Sequence, residues 1–234
     1  MIKKVRFKSD IEITGKLYYS EKSNNPGILF LHGGGKSSKE SFSFTQEILY
    51  NHGISSLAID FCGVGESAGD FESGSLKNRL IDAKRAYDFL KKYAKSIFIC
   101  GYSMGGHTAV ELTSICKIEG LVLVSAAAYS KEAESKLFNE SFTEILHKKD
   151  SWANSPVFAV LKKFKKSILL IYSENDSIIP LGVIEKYTAA AGKFGELVNI
   201  KNGDHQLFNQ DTITNKQIVN KISILIRKFV LKTN

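Results

Sequence analysis

Ile97-Phe98-Ile99-Cys100-Gly101-Tyr102-Ser103-Met104-Gly105-Gly106-His107-Thr108-Ala109-Val110-Glu111-Leu112 runs from a continuous apolar segment, through a serine between glycines, into a helix-forming segment. An unbroken apolar run of that length predicts a parallel strand buried on both faces. A serine at a strand-to-helix turn needs a strained backbone, and only small residues two positions to either side avoid a clash. Gly101 and Gly105 supply them. The helix that follows points its free N–H groups back at Ser103, where they favour developing negative charge. Ser103 is therefore read as a nucleophile, against the plainer alternative of an ordinary serine in a glycine-rich turn.

The same strand signature recurs outward from this stretch, at 27–31, 54–59, 121–124 and 168–172, and more weakly at 196–200. Residues 5–7 and 11–19 alternate apolar with polar and predict an N-terminal antiparallel pair. Helical spacing appears at 76–93, through Leu80, Ala83, Tyr87 and Leu90 with Lys and Arg facing away, and at 217–231, through Ile218, Ile222, Leu225 and Phe229. Strands alternating with helices predict a mostly parallel, twisted α/β sheet flanked by helices. In such sheets chemistry collects where loops leave the C-terminal strand ends. The connection 126–166 is too long for an ordinary link. Phe138, Phe142, Ile145 and Leu146 fall on one helical face there, followed by Trp152 and Phe158. It is read as a small helical cap within one domain spanning 1–234, with Phe138, Phe142 and Trp152 as candidate pocket residues and a plain core role as the equal alternative.

A serine nucleophile needs a base. Of the five histidines, His205 lies in Asn202-Gly203-Asp204-His205, just past the last strand, and is the favoured base. His52, His107 and His147 read as turn, packed and exposed residues, and His32 as a residue that orients its own loop. The base needs a carboxylate to hold its tautomer. Asp176, in the loop after 168–172, is preferred to Glu174 and Asp204. The order Ser103, Asp176, His205 is that of one class of triad. Two N–H donors for an oxyanion are expected from Met104 and from Gly34 in His32-Gly33-Gly34-Gly35, with Gly33 and Gly35 as near alternatives. Gly35-Lys36-Ser37 imitates a phosphate-binding loop, but Phe30 stands where that motif needs its first glycine.

Leu31-His32-Gly33-Gly34, the segment 60–67, Gly101-Tyr102-Ser103-Met104-Gly105-Gly106, the segment 175–180 and Gly203-Asp204-His205 occur in the order of the α/β-hydrolase superfamily, which the chain resembles over nearly its whole length. The segment 65–72 followed by Asp82-Ala83 is most similar to small bacterial carboxylesterases of the cinnamoyl/feruloyl type. Cys62 and Val64 replace the Arg and the His-like residue usual there. The resemblance implies a serine hydrolase acting on esters through an acyl-enzyme, with no metal or organic cofactor. Thioester or amide hydrolysis and acyl transfer would use the same residues, and a non-catalytic ligand receptor is the alternative of another class.

Composition agrees with an ordinary globular chain: 43% hydrophobic and 24% charged residues exclude a disordered or fibrous one. No apolar run reaches the ~18 residues of a membrane span. The N-terminus lacks the apolar core of a secretory signal, so a cytoplasmic protein is expected. Cys62, Cys100 and Cys116 are read as buried free thiols. The net charge of +8 is spread along the chain, with one denser run at Lys162-Lys163-Phe164-Lys165-Lys166, and reads as solvated surface, not a nucleic-acid site. The expected partner is a small-molecule ester or acyl substrate.

Overall fold

The computed structural model describes residues 1–8, 11–21, 25–35 and 37–233. Eight strands form one sheet: β1 (Ile2–Lys8), β2 (Glu12–Tyr18), β3 (Pro26–Leu31), β4 (Ser55–Asp60), β5 (Ser96–Tyr102), β6 (Gly120–Val124), β7 (Ile168–Ser173) and β8 (Gly195–Ile200). Their spatial order is β1-β2-β4-β3-β5-β6-β7-β8. The first two strands pair antiparallel, β2 joins β4 antiparallel, and every later pairing is parallel.

The apolar runs are continuous because both faces are covered. Leu29, Leu31, Ile97, Ile99, Leu121, Leu123 and Leu170 point into one core, shared with α2 (Leu76–Leu90), α3 (Met104–Leu112), α5 (Pro156–Lys163) and α6 (Leu181–Ala191). Ile28, Phe30, Phe98, Cys100, Val122 and Ile171 point into the other, under α1 (Ser43–Asn51) and α7 (Ile213–Thr233). Alternate residues of each strand thus serve opposite layers.

Four expectations need correction. The first long helix stops at Leu90, and Arg79 on it is buried, not turned outward. The buried stripe of α7 runs through Val219, Ile222, Ser223, Ile226 and Val230, displaced from the apolar spacing at 218, 225 and 229. Ser223 belongs to it because its hydroxyl lies 2.8 Å from that of Thr45 and donates to Val219 O; hydropathy alone assigns a serine to solvent. Between β6 and β7, α4 (Glu140–Leu146) begins after Asn139, whose side chain accepts from Ser141 N, so Phe138 lies before the helix. Of the three free cysteines only Cys100 is fully buried; Cys62 and Cys116 are half-buried. Among the described residues, no helix is long and apolar enough to cross a membrane.

Candidate active site

Ser103 sits between the end of β5 and the start of α3 with φ 51° and ψ −120°, an unfavourable conformation for a residue with a side chain. Three backbone bonds hold it: its N–H donates to Val124 O, and its carbonyl accepts from Gly106 and Ala127. The flanking glycines are required by space. A Cβ on Gly101 would lie 2.4 Å from Gly105 O, and one on Gly105 would lie 2.0 Å from Leu31 O.

His205 Nε2 lies 3.1 Å from Ser103 Oγ, and His205 Nδ1 lies 3.0 Å and 3.1 Å from the two oxygens of Asp176. The Asp176 side chain is 1% exposed, and its Oδ1 also accepts from Ile178 N and Ile179 N. Burial pushes that carboxyl upward, but the His205 hydrogen bond and the two amides outweigh it and hold it below the usual range. An ionised Asp176 keeps the His205 proton on Nδ1 and leaves Nε2 free to accept from Ser103. Tyr102 steadies the histidine from the other side, donating to His205 O at 2.9 Å with its ring against the imidazole. The rival carboxylates serve turns: Glu174 accepts from Asn202 N and Asp204 from Gln206 N.

The glycine loop after β3 lies over this group. A Cβ on Gly33 would be 3.1 Å from Ser103 Cβ, and one on Gly34 would be 3.2 Å from Met104 Cε. Among the described residues, neither Gly34 N–H nor Met104 N–H, the latter at the α3 N-terminus, has a hydrogen-bond acceptor. His32 is wholly buried; its Nε2 accepts from Phe61 N at 3.2 Å and its Nδ1 donates to Gly33 O at 2.7 Å. Burial, reinforced by the nearby Arg79 charge, pulls its pKa well down, so this ring is neutral.

A cavity of about 530 Å³ opens in front of Ser103 and His205. Gly34, Gly35, Ser37, Ser41, Tyr102, Gln206, Phe208 and Asn209 complete its lining. The aromatic residues of 126–166 lie elsewhere. Phe138 and Phe142 pack with Leu76, Ala133, Ile145 and Met104 in a small core of their own, and Met104 also borders Gly34. Trp152 packs on Gly182 at the start of α6. Phe142 and Ile145 turn inward as one helical face, while Leu146 on the same expected face is exposed and Phe138 packs from before the helix; the cavity is left to residues around His205 and the glycine loop.

His107 is buried behind the site on α3, next to Glu111 and Glu134, with ligand-type atoms of all three within 4.8 Å of one another. The Tyr129 N–H donates to its Nδ1 at 3.3 Å, which leaves the proton on Nε2, 3.6 Å from Glu111. The ring therefore offers the carboxylates a donor, where a metal ligand would need a lone pair. Burial, and then the charge of Glu134, push Glu111 up to about 7. The folded chain thus binds a proton that the unfolded chain releases between about pH 4.5 and 7, so stability from this group falls as pH rises through that window. Glu111→Gln removes the penalty with a side chain of the same shape. Thermal melts should show a gain of roughly 3 kcal/mol at pH 8 and little at pH 5. An equal change at both pH values would contradict this.

The mixed sheet, with its serine turn, acid loop and histidine loop at the C-terminal strand ends, is the α/β-hydrolase fold of serine hydrolases. The chain belongs to the serine aminopeptidase S33 family, whose profile matches residues 23–155. Among curated proteins it is 37% identical over 89 residues to the multifunctional-autoprocessing repeats-in-toxin of Vibrio cholerae, a stretch covering 36% of this chain and 2% of the toxin. A Rickettsia prowazekii protein is 32% identical over 108 residues, 43% of this chain and 44% of that one. These matches thus span less than half the length of the curated relatives. Among solved structures, Est1E of Butyrivibrio proteoclasticus with bound ferulic acid superposes with a TM-score of 0.77 at 19% identity, covering 98% of both chains. A Pyrococcus furiosus esterase gives 0.72 at 18% identity, covering 100% of this chain and 91% of that one. At such identities the likeness is one of fold.

Proposed function

We propose that the chain is a carboxylic-ester hydrolase working through Ser103, His205 and Asp176. The observation that carries this reading is the unbroken hydrogen-bond chain from Ser103 Oγ through His205 to the buried Asp176, at the floor of an open cavity. His205 Nε2 takes the Ser103 proton as Oγ bonds to the acyl carbon, and the N–H groups of Met104 and Gly34 receive the oxyanion. The tetrahedral intermediate collapses, His205 gives the proton to the leaving alkoxide, and the alcohol departs. Water then repeats the sequence, losing its proton to His205 and releasing the acid. Asp176 stabilises the imidazolium throughout without taking the proton.

The family's name raises peptide substrates as the second reading. An aminopeptidase must hold a free α-ammonium group, and a carboxylate is the usual means. Among the described residues, no Asp or Glu lines the cavity. Esters are favoured for that reason, and the resemblance to feruloyl-type esterases points the same way. The hydroxyl and amide side chains around the cavity, with Phe208 as an apolar side chain among them, suit a short or hydroxylated acyl group better than a long alkyl chain.

The test is a matched panel of p-nitrophenyl esters, the corresponding thioesters and amino-acyl p-nitroanilides. We expect kcat/KM for acetate and butyrate esters to exceed that for decanoate by about tenfold or more, with the anilides slowest. Faster turnover of the anilides would replace this reading with the peptidase one.

A further inference from the structure

Arg79 is a cation placed directly behind the glycine loop, and the hydrolytic scheme above gives it no part. It lies on the first turn of α2, 2% exposed, with its guanidinium carbon 3.8 Å from the centroid of the Phe61 ring. Its Nη2 donates to His32 O and, at 3.1 Å, to Gly33 O. Among the described residues, its Nε and Nη1 have no hydrogen-bond partner. A guanidinium buried with unused donors is costly to the fold, because its lost hydration is only partly replaced. Its hydrogen bonds go to two consecutive carbonyls of the loop that borders Ser103.

The orientation of those carbonyls determines where the loop's N–H groups point. In a trans peptide, the C=O of one residue and the N–H of the next face opposite ways. The Gly33 carbonyl and the Gly34 N–H belong to one such peptide, and no cis peptide occurs among the described residues. Two donors draw the Gly33 oxygen inward: Arg79 Nη2 from one side and His32 Nδ1 from the other. Phe61 N–H, by donating to His32 Nε2, makes Nδ1 the donor. The peptide is thereby pinned with its N–H facing outward. Glycines at 33, 34 and 35 would otherwise leave this loop free to rotate.

We propose that Arg79 is a positioning residue for the oxyanion donor: it clamps the His32 and Gly33 carbonyls, aims the Gly34 N–H at the reacting oxygen, and strengthens that donor through its charge. The second effect is polarisation, since a cation on the carbonyl side of a peptide makes the N–H on the other side more acidic. The proposal rests on the ester-hydrolase reading and deepens it. A residue acting this way matters most when negative charge forms on the substrate oxygen, and little when substrate merely binds.

The experiment compares wild type with Arg79→Met, Arg79→Gln and Arg79→Lys, using a p-nitrophenyl short-chain ester and a boronic-acid inhibitor that mimics the tetrahedral intermediate. Rates are normalised to folded protein by circular dichroism and melting temperature. Deleting an oxyanion donor outright costs 10²–10³ in rate, so a donor left in place but unanchored should lose about 10- to 100-fold in kcat. KM should change less than threefold. Boronate affinity should fall by the same factor as kcat, and Lys, which keeps the charge and one donor, should lose less than Gln. Should Met fail to fold, the Gln and Lys pair decides. Wild-type kcat in the folded variants, or losses confined to melting temperature or KM, would overturn the role of Arg79. Failure of the underlying reading looks different: wild type itself would turn over no ester and bind no boronate.

Discussion

Ser103→Ala should abolish ester turnover and covalent capture by a fluorophosphonate, while leaving the melting temperature within a few degrees of wild type. Among the described residues, the one side-chain hydrogen bond of the Ser103 hydroxyl is with His205 Nε2 at 3.1 Å, and the backbone at 103 is held separately by Val124, Gly106 and Ala127. Removing Oγ therefore deletes the attacking atom without loosening the turn. The rate should fall by about 10⁴ or more, to the background supported by oxyanion donors and binding alone. Intact-mass analysis after incubation with the probe should show a single adduct on wild type and none on the variant. An adduct on Ser103→Ala would place the nucleophile elsewhere. Absence of any adduct on folded wild type would remove the ester-hydrolase reading and, with it, the role given to Arg79.

What could be read from the sequence was what is local along it. The turn around Ser103 is legible because its demands fall on residues two positions away, and glycine at 101 and 105 has no cheap substitute there. Asp176 and His205 are legible because strand ends deliver them to the same edge, and the structure places both within hydrogen-bonding reach of the chain that ends at Ser103. Arg79 was missed for the opposite reason. Helical periodicity sorts side chains by hydropathy, and the carbonyls that accept from Arg79 belong to residues 32 and 33, far away in sequence. Ser223 on α7 escaped in the same way, through a hydroxyl contact with Thr45. The aromatic face of 138–146 shows another limit: periodicity reveals that a face is apolar but not which surface it covers. Ser37, Ser41, Gln206 and Asn209 carry no pattern of their own. Their only signal was adjacency to the glycine loop and to His205.

Gly105→Ala should be the most destabilising single methyl group that can be added near the site. A Cβ there would lie 2.0 Å from the carbonyl oxygen of Leu31, 2.6 Å from its carbon and 2.7 Å from His32 O. All three are backbone atoms at the end of β3, and β3 is held by β4 on one side and β5 on the other, so none can swing aside as a side chain would. Relief requires α3 to move away from the sheet, or the peptides after Leu31 and His32 to turn together. The first breaks close packing; the second disturbs the end of the β3–β5 pairing and releases the His32 carbonyl held by Arg79. Either should cost about 4 kcal/mol, at the upper end of single substitutions. Gly192→Ala provides the contrast. That residue has φ +52° and ψ −135°, close to the backbone of Ser103, but no atom within 4 Å of its would-be Cβ, so only backbone strain of about 2 kcal/mol applies. Urea unfolding of both variants should separate them by roughly 2 kcal/mol, and the Gly105 variant alone should lose probe reactivity in its remaining folded fraction. Comparable stability of the two would mean that helix and strand at this junction yield far more readily than a close-packed contact between backbones allows.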